Sequence, residues 1–153
     1  EDQQAMFKQG IPKASLFTVQ KRLFSQHCRV AVIGGGSAGM SLSAQLADSP
    51  GFTPKDITVF DPKEVHHYQP SYTMIGGGVL SNSVQKAMLK ETTYKRNMRD
   101  TIREDITLKP EEVQSFNPDE NSFQTNRDTY TYDFLVVCPG LKLNYEGIKG
   151  AKE

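Results

Sequence analysis

The sequence predicts an α/β protein whose central strands are parallel. Three observations support this fold class. A β-branched run at residues 29–33 leads directly into a glycine-rich turn, and a helical pattern follows that turn at 40–47. A second strand-like run at 57–60 ends in an acidic residue, Asp61. Short apolar runs of this kind are typical of buried parallel strands, and a helix between two of them predicts a β–α–β unit.

The turn after the first strand reads GGGSAG at residues 34–39 and matches the pattern G-x-G-x-x-G. Between a strand and a helix, this pattern indicates a dinucleotide-binding site. Gly34 would allow the tight turn, Gly36 would let a pyrophosphate approach the backbone, and Gly39 would let helix and strand pack closely. The N–H groups at the start of the helix would then face the phosphates.

Asp61 supplies the acidic residue that this type of site requires. It ends the second strand, about twenty residues beyond the turn, where a carboxylate can accept hydrogen bonds from both ribose hydroxyls of an adenosine. The same carboxylate would repel a 2′-phosphate. The sequence therefore predicts a Rossmann-like dinucleotide site, and these residues alone do not distinguish FAD from NAD.

The second half of the chain favours FAD. Residues 113–116 and 122–125 are predicted to form a β-hairpin around the turn NPDEN at 117–121. The segment TYDFLVVCPG at 131–140 resembles the closing motif of two-dinucleotide flavoproteins, and its Gly140 would permit close approach to the cofactor. The predicted fold is a Rossmann-like FAD-binding β–α–β unit with a β-meander, the N-terminal part of a glutathione-reductase-like flavoprotein.

A narrower resemblance lies in the segment that follows the second strand. It is carried by three short stretches: DP at 61–62, HYQP at 67–70 and YTMIGGG at 72–78. These stretches resemble the mitochondrial-type sulfide:quinone oxidoreductases, and the resemblance covers about residues 29–150. Two features depart from that family. Tyr72 replaces a tryptophan, and the link across residues 78–113 is longer and more basic.

The resemblance implies roles for particular residues in binding FAD. Ser37 and Ala38 would lie under the pyrophosphate, Asp61 would bind the ribose, Gln69 would reach the cofactor, and the backbone of Val113 would face the adenine. With the glycines included, the predicted cofactor-binding residues are Gly34, Gly36, Ser37, Ala38, Gly39, Asp61, Gln69, Val113 and Gly140.

The resemblance also implies an activity, the FAD-dependent oxidation of sulfide with transfer of electrons to quinone. The sulfur would pass to a thiol or another sulfane-sulfur acceptor. This chemistry requires two cysteines that face the flavin ring, and in the family they are expected beyond residue 153, together with a membrane-associated C-terminal part. The resemblance places such an enzyme at the mitochondrial inner membrane. No catalytic residue is therefore assigned, and residues 1–153 alone are predicted to be inactive.

The two cysteines of this sequence, Cys28 and Cys138, are not predicted to be that pair. Cys28 opens the first strand, whereas Cys138 lies at the carboxyl end of the last one. A five-residue strand spans ~17 Å, which exceeds the ~7 Å limit between the Cα atoms of a disulfide. Both residues are predicted to be buried structural thiols.

A metal site at His66 and His67 is not predicted either. Adjacent residues of an extended segment point to opposite faces, so one histidine is expected at the surface and the other packed inside. The triple glycine at 76–78 does not follow a β-branched strand. It is predicted to form a bend beneath the flavin instead of a second phosphate-binding loop.

Residues 1–26 are predicted to be a transit peptide or a disordered leader, and residues 27–153 the N-terminal portion of an FAD-binding domain. The stretch at 6–25 is basic, free of acids and amphipathic, which is typical of mitochondrial transit peptides. The chain as a whole has 18 Lys and Arg against 18 Asp and Glu. This balance indicates neither a nucleic acid nor a membrane surface as a partner.

Three rival functions stay open at the level of sequence. Two are other two-dinucleotide flavoproteins, a type II NADH dehydrogenase and a flavocytochrome sulfide dehydrogenase. The third is a non-catalytic nucleotide-binding module. An intact NAD site further along the chain would favour the NADH dehydrogenase, whereas two cysteines that flank the flavin would favour sulfide oxidation.

Overall fold

A computed structural model of the chain describes residues 26–78, 94–142 and 144–150. Residues 1–25 of the predicted leader and most of the basic link, at 79–93, lie outside the described residues. The strands are β1 Gln26–Ile33, β2 Ile57–Phe60, β3 Val65–His67, β4 Lys95–Asn97, β5 Thr107–Lys109, β6 Val113–Asn117, β7 Ser122–Thr125 and β8 Thr129–Val137. The α-helices are α1 Ser37–Ala47, α2 Pro70–Gly76 and α3 Met98–Thr101, and 3₁₀ turns occur at Pro54–Asp56, Pro118–Glu120 and Tyr145–Gly147.

Six strands form one sheet in the order β5-β2-β1-β8-β7-β6. The first four strands run parallel, whereas β6, β7 and β8 pair antiparallel as a meander. The predicted α/β class is therefore confirmed, and so is the hairpin of β6 and β7. The parallel strands all end at one edge of the sheet, so the loops after β1, β2 and β8 meet there.

The parallel strands are buried on both faces because each face carries its own apolar cluster. On one face, Val30 and Val32 pack with residues of β2, α1 and α3. On the other face, Ala31 and Ile33 pack with aromatic residues of β2 and the meander. This alternation explains why β1 is a nearly continuous apolar run instead of an amphipathic one.

An aromatic cluster packs the meander strands β7 and β8 against strand β2. The ring of Phe60 in β2 meets Phe123 in β7 at 5.0 Å and Tyr130 in β8 at 4.8 Å, both edge to face. Aromatic pairs prefer this geometry, which adds ~0.5–1.5 kcal/mol beyond the area that they bury. The meander therefore covers the face of the sheet opposite α1.

Two boundaries differ from the sequence prediction. Gln26 belongs to β1, because it pairs with Tyr130 and its side chain donates to Asp128 at 2.8 Å. Strand β1 therefore begins at Gln26, the last residue of the predicted leader, and the leader itself stays a prediction. The triple glycine forms a helix end and not the predicted bend: α2 ends at Gly76, and Gly78 follows with a φ of +65°, as at many helix C-termini.

A small two-stranded ribbon stands beside the sheet and was not predicted. Strand β3 pairs antiparallel with β4, with His66 opposite Arg96. The backbone N–H of Met98 then donates to the carbonyl of Glu64 at 2.7 Å. The ribbon brings the chain after residue 94 back against the loop that follows Asp61. Within the described residues, no helix is long and apolar enough to span a membrane.

Candidate functional site: a dinucleotide cleft

Gly34 forms the junction between three strands. Its N–H donates to the carbonyl of Phe60 at 2.8 Å, and its φ of +103° is one that L side chains rarely adopt. A Cβ at this position would lie 2.2 Å from the carbonyl oxygen of Cys138. Only glycine fits here, as the motif predicts.

Gly39 lies under the turn and is buried. A Cβ there would lie 1.8 Å from the carbonyl oxygen of Gly34, so its missing side chain lets α1 start directly against β1. Gly39 therefore supports the turn from beneath, in agreement with its predicted role in helix–strand packing.

Gly36 faces open space. A Cβ on Gly36 would meet no atom of the described residues within 4 Å, and its φ of −67° is accessible to any residue. Because Gly36 has no side chain to cap α1, the N–H groups at the helix start stay available to an anion. Ser37 and Ala38, the first two residues of α1, are exposed beside it. An uncapped helix start with space in front of it fits a pyrophosphate.

Asp61 is held in a fixed orientation at the end of β2. The residue is buried, its Oδ2 accepts the N–H of Gly35 at 2.8 Å, and its Oδ1 accepts the N–H of Lys63 at 2.9 Å. A carboxylate has about four acceptor positions, so about two remain for ribose hydroxyls. The acid therefore fits the role that the sequence predicts for it.

These features line one cavity of about 1160 Å³, slightly above the ~300–1,000 Å³ typical of small-molecule sites. The lining comes from the glycine turn, the segment after β2, Met98 and the end of β8: residues 34, 36–38, 61, 63–67, 69, 70, 72, 98 and 138–141. Seven of the nine predicted cofactor-binding residues line it: Gly34, Gly36, Ser37, Ala38, Asp61, Gln69 and Gly140.

Gly39 and Val113 do not line this cavity. Gly39 is buried beneath the turn, where it acts through packing. Val113 begins β6 and packs against the aromatic cluster on the meander side. Its predicted backbone contact with adenine stays a prediction.

The sequence reasoning did not assign several residues of the cavity wall to the site. Among them, Nδ1 of His67 and the hydroxyl of Tyr72 form a short hydrogen bond, and the ring of Tyr72 meets Tyr94 edge to face at 5.5 Å. In the sequence, Tyr72 stands out only as a departure from the family pattern. Met98 carried no sequence signal, because it reaches the cavity through the unpredicted ribbon.

The two histidines lie as strand alternation predicts. His66 is buried and His67 is exposed, and both line the cavity. Burial lowers the pKa of His66, and the neighbouring His67 lowers it further, so the His66 ring is neutral at neutral pH.

The two cysteines lie at opposite ends of the parallel strands. Cys28 pairs with Tyr132 near the start of β8, whereas Ile33, five residues on, pairs with Val137 next to Cys138. Both thiols are free; Cys28 is buried as predicted, whereas Cys138 is only partly buried, because it lines the cavity. Burial raises the pKa of each. A thiol with a raised pKa carries little thiolate at neutral pH and is a poor nucleophile. This placement agrees with structural roles.

The strand–turn–helix geometry, the oriented acid and the covering meander define a dinucleotide-binding protein. Residues 28–153 match the sequence profile described as "Pyridine nucleotide-disulphide oxidoreductase". The chain belongs to this family. Its members and the related sulfide:quinone oxidoreductases bind FAD, which confirms the predicted cofactor.

A curated relative carries a more specific name than the family profile does. A curated relative from Dictyostelium discoideum, "Sulfide:quinone oxidoreductase, mitochondrial", is 33% identical over 136 residues, which cover 88% of this chain. The chain spans 28% of the length of that relative.

Two solved structures share the fold. The sulfide:quinone oxidoreductase of Aquifex aeolicus has a TM-score of 0.55 at 22% identity, over 79% of this chain and 26% of that one. The NDH2 of Plasmodium falciparum, in complex with RYL-552, has a TM-score of 0.56 at 16% identity, over 85% of this chain and 25% of that one. The similar TM-scores mean that the fold alone does not distinguish a sulfide:quinone oxidoreductase from NDH2.

Proposed function

We propose that this chain supplies the ADP-binding half of the FAD site in an enzyme that oxidises sulfide and passes the electrons to quinone. One observation carries the proposal. Two of the residues that define the Y-Q-P-x-x-T segment at 68–73, the most selective part of the sequence resemblance, line the same cavity as the glycine turn and Asp61: Gln69 and Pro70. The family-specific residues and the general dinucleotide motif therefore contribute to one site.

The roles of the individual residues follow from their environment. The free N–H groups at the start of α1 receive the pyrophosphate beside Gly36, and the carboxylate of Asp61 accepts the ribose hydroxyls. Gln69 and Gly140 lie further along the wall, where they contact the rest of the cofactor. When bound, FAD supplies the electron-transfer chemistry, and the described residues hold it in place.

Replacing Asp61 by alanine in the full-length protein should weaken the retention of FAD. The change removes two acceptor oxygens, and hydrogen bonds to a charged group contribute ~1.5–3 kcal/mol each. The flavin content of the purified variant, measured against the wild type, checks this expectation. Undiminished flavin in the variant would exclude Asp61 as the ribose ligand.

The sulfur chemistry requires a redox cysteine pair, which we place beyond residue 153 in the full-length protein. Cys28 lies at the far end of β1 from the cavity, and Cys138 is next to the glycine turn, with its Sγ 3.8 Å from the carbonyl oxygen of Gly34. The thiol pKa values of both are raised by burial. A persulfide-forming pair needs a thiolate, so neither residue suits that role.

The proposal is tested by the electron donor that the full-length protein accepts. Sulfide should drive quinone reduction, and NADH should not. Reduction of quinone by NADH alone would favour a type II NADH dehydrogenase, the rival that shares the fold.

The double variant Cys28→Ala, Cys138→Ala should keep its flavin and its sulfide-dependent quinone reduction, since neither thiol belongs to the redox pair. A double variant that keeps FAD but loses this activity would place the redox centre within residues 1–153.

We further propose a mitochondrial protein that acts at the inner membrane and whose residues 1–25 are a cleaved transit peptide. The support is the basic, acid-free composition at 6–25 and the mitochondrial name of the curated relative. N-terminal sequencing of the protein from isolated mitochondria decides this. A mature N-terminus that still includes Met6 would reject cleavage near Ser25.

A further inference from the structure

We propose that Gly35 and Met98 form a size-matched pair that holds Asp61 in position for the ribose. This inference rests on the proposed FAD site and adds two residues to it. Gly35 occupies the variable x position of G-x-G-x-x-G, where the motif sets no requirement. Met98 lies outside every motif. We assign both a role through the carboxylate of Asp61, so they are positioning residues, and Met98 also lines the cavity.

A side chain at Gly35 would crowd two neighbours at once. A Cβ at this position would lie 3.0 Å from Sδ of Met98 and 3.2 Å from Cβ of Asp61. Such distances are tighter than nine in ten real Cβ contacts, so a neighbour would have to shift by a few tenths of an ångström. The absence of a side chain therefore lets the thioether and the acid both pack against the turn.

Met98 joins the two chain segments that orient the carboxylate. Its side chain contacts the turn at Gly35, whereas its backbone N–H donates to Glu64 at 2.7 Å in the loop after Asp61. The hydroxyl of Thr101 donates to the carbonyl of Met98 at 2.8 Å. Met98 is only 3% exposed, so it has little freedom to move.

The carboxylate depends on both of these segments. Oδ2 of Asp61 accepts the N–H of Gly35, and Oδ1 accepts the N–H of Lys63. If the turn moves relative to the loop, one of these bonds lengthens and the remaining acceptor positions rotate away from the ribose. Since the side chain of Met98 lies against the turn and its backbone is bonded to the loop, the size of that side chain sets the separation of the two segments.

The test is a double-mutant cycle in the full-length protein, with the dissociation constant of FAD measured by fluorescence titration of the deflavinated protein. Met98→Ala should weaken FAD binding about tenfold, because the turn loses its support. Gly35→Ala should weaken binding by a similar factor. The double variant should have nearly the same dissociation constant for FAD as whichever single variant binds more weakly. The reason is that residues in contact couple: the truncated Met98 leaves room for the new Cβ.

Two control variants separate positioning from general stability. Ile102→Ala removes a side chain of the same apolar cluster with nearly the same burial, 4% against 3% exposed, but Ile102 does not line the cavity. It should lower the unfolding temperature and leave FAD affinity unchanged. Met98→Leu keeps the volume and should restore wild-type affinity. If Met98→Ala does not fold, Met98→Val takes its place in the cycle.

The outcomes are distinguishable. A wild-type protein that does not bind FAD at all would reject the proposed function itself. A wild type that binds FAD, with factors for Gly35→Ala and Met98→Ala that simply multiply in the double variant, would overturn the pairing. Equal losses of FAD affinity in Ile102→Ala and Met98→Ala would mean that Met98 acts only through core packing. That result would also overturn the proposed pairing.

Discussion

Replacing Gly34 by alanine should destabilise the apoprotein by about 2–5 kcal/mol and abolish flavin binding with it. The alanine must adopt a φ of +103°, and left-handed backbone costs an L residue ~1–2 kcal/mol. Its Cβ would also lie 2.2 Å from the carbonyl oxygen of Cys138. Relief of such overpacking typically costs a further ~1–3 kcal/mol.

The surroundings of Gly34 leave little room for adjustment. The N–H of Cys138 donates to the carbonyl of Ile33 at 2.8 Å, and the N–H of Gly34 donates to Phe60 at 2.8 Å. A shift at this point therefore breaks hydrogen bonds between three strands.

Urea unfolding of the full-length apoprotein, followed by circular dichroism, measures the effect. Gly36→Ala is the matched control, because that position has an ordinary φ and open space in place of a neighbouring carbonyl. It should unfold at the wild-type urea concentration. If Gly34→Ala unfolded there as well, the turn would be far more adaptable than its geometry implies.

The core of the fold could be predicted because its signals are local. The β-branched run, the glycine turn and Asp61 follow one another along the sequence, and each has a steric or electrostatic cause that needs no knowledge of distant residues. The β6–β7 hairpin was predictable for the same reason, since its turn residues lie between two short strands. The structure confirms the order of these elements.

The remaining parts of the site depend on contacts between distant segments. The β3–β4 ribbon joins His66 to Arg96 across a long link, and no sequence period predicts a pairing of two three-residue strands. Met98 reaches the cavity only through that ribbon. The sequence predicts a bend at 76–78, whereas the structure has a helix end there. A glycine run that ends a helix and one that forms a bend have the same composition.

A buried polar network illustrates the same limit. The carboxylate of Glu111 is buried and accepts hydrogen bonds from Thr125 at 2.7 Å and from the hydroxyl of Tyr130 at 3.0 Å. Burial and the hydrogen bond to Glu111 raise the pKa of Tyr130 well above its usual range. The network fastens the link between β5 and β6 to the meander. In the sequence, these three residues look like ordinary surface positions.

Replacing Gly36 by valine should produce a folded protein without flavin. The position tolerates a β-branched residue in the apoprotein, because its φ of −67° and ψ of −174° are extended backbone and, in the part of the chain that the structure describes, no atom lies within 4 Å of the new Cβ. The same side chain would occupy the space in front of the helix start, where the pyrophosphate must approach. Each charge-assisted hydrogen bond lost there contributes ~1.5–3 kcal/mol, a loss of about tenfold to a hundredfold in affinity.

The measurement is the ratio of flavin to protein absorbance in purified full-length protein, with the far-ultraviolet circular dichroism spectrum as the check of folding. Gly76→Val is the matched control, because Gly76 also has open surroundings but does not line the cavity. It should keep its flavin. A yellow Gly36→Val protein with a normal flavin spectrum would mean that the turn does not bind the phosphates, and the ADP half of the cofactor would then have to lie elsewhere. A colourless but folded variant, beside a yellow Gly76→Val, would assign the pyrophosphate to the start of α1.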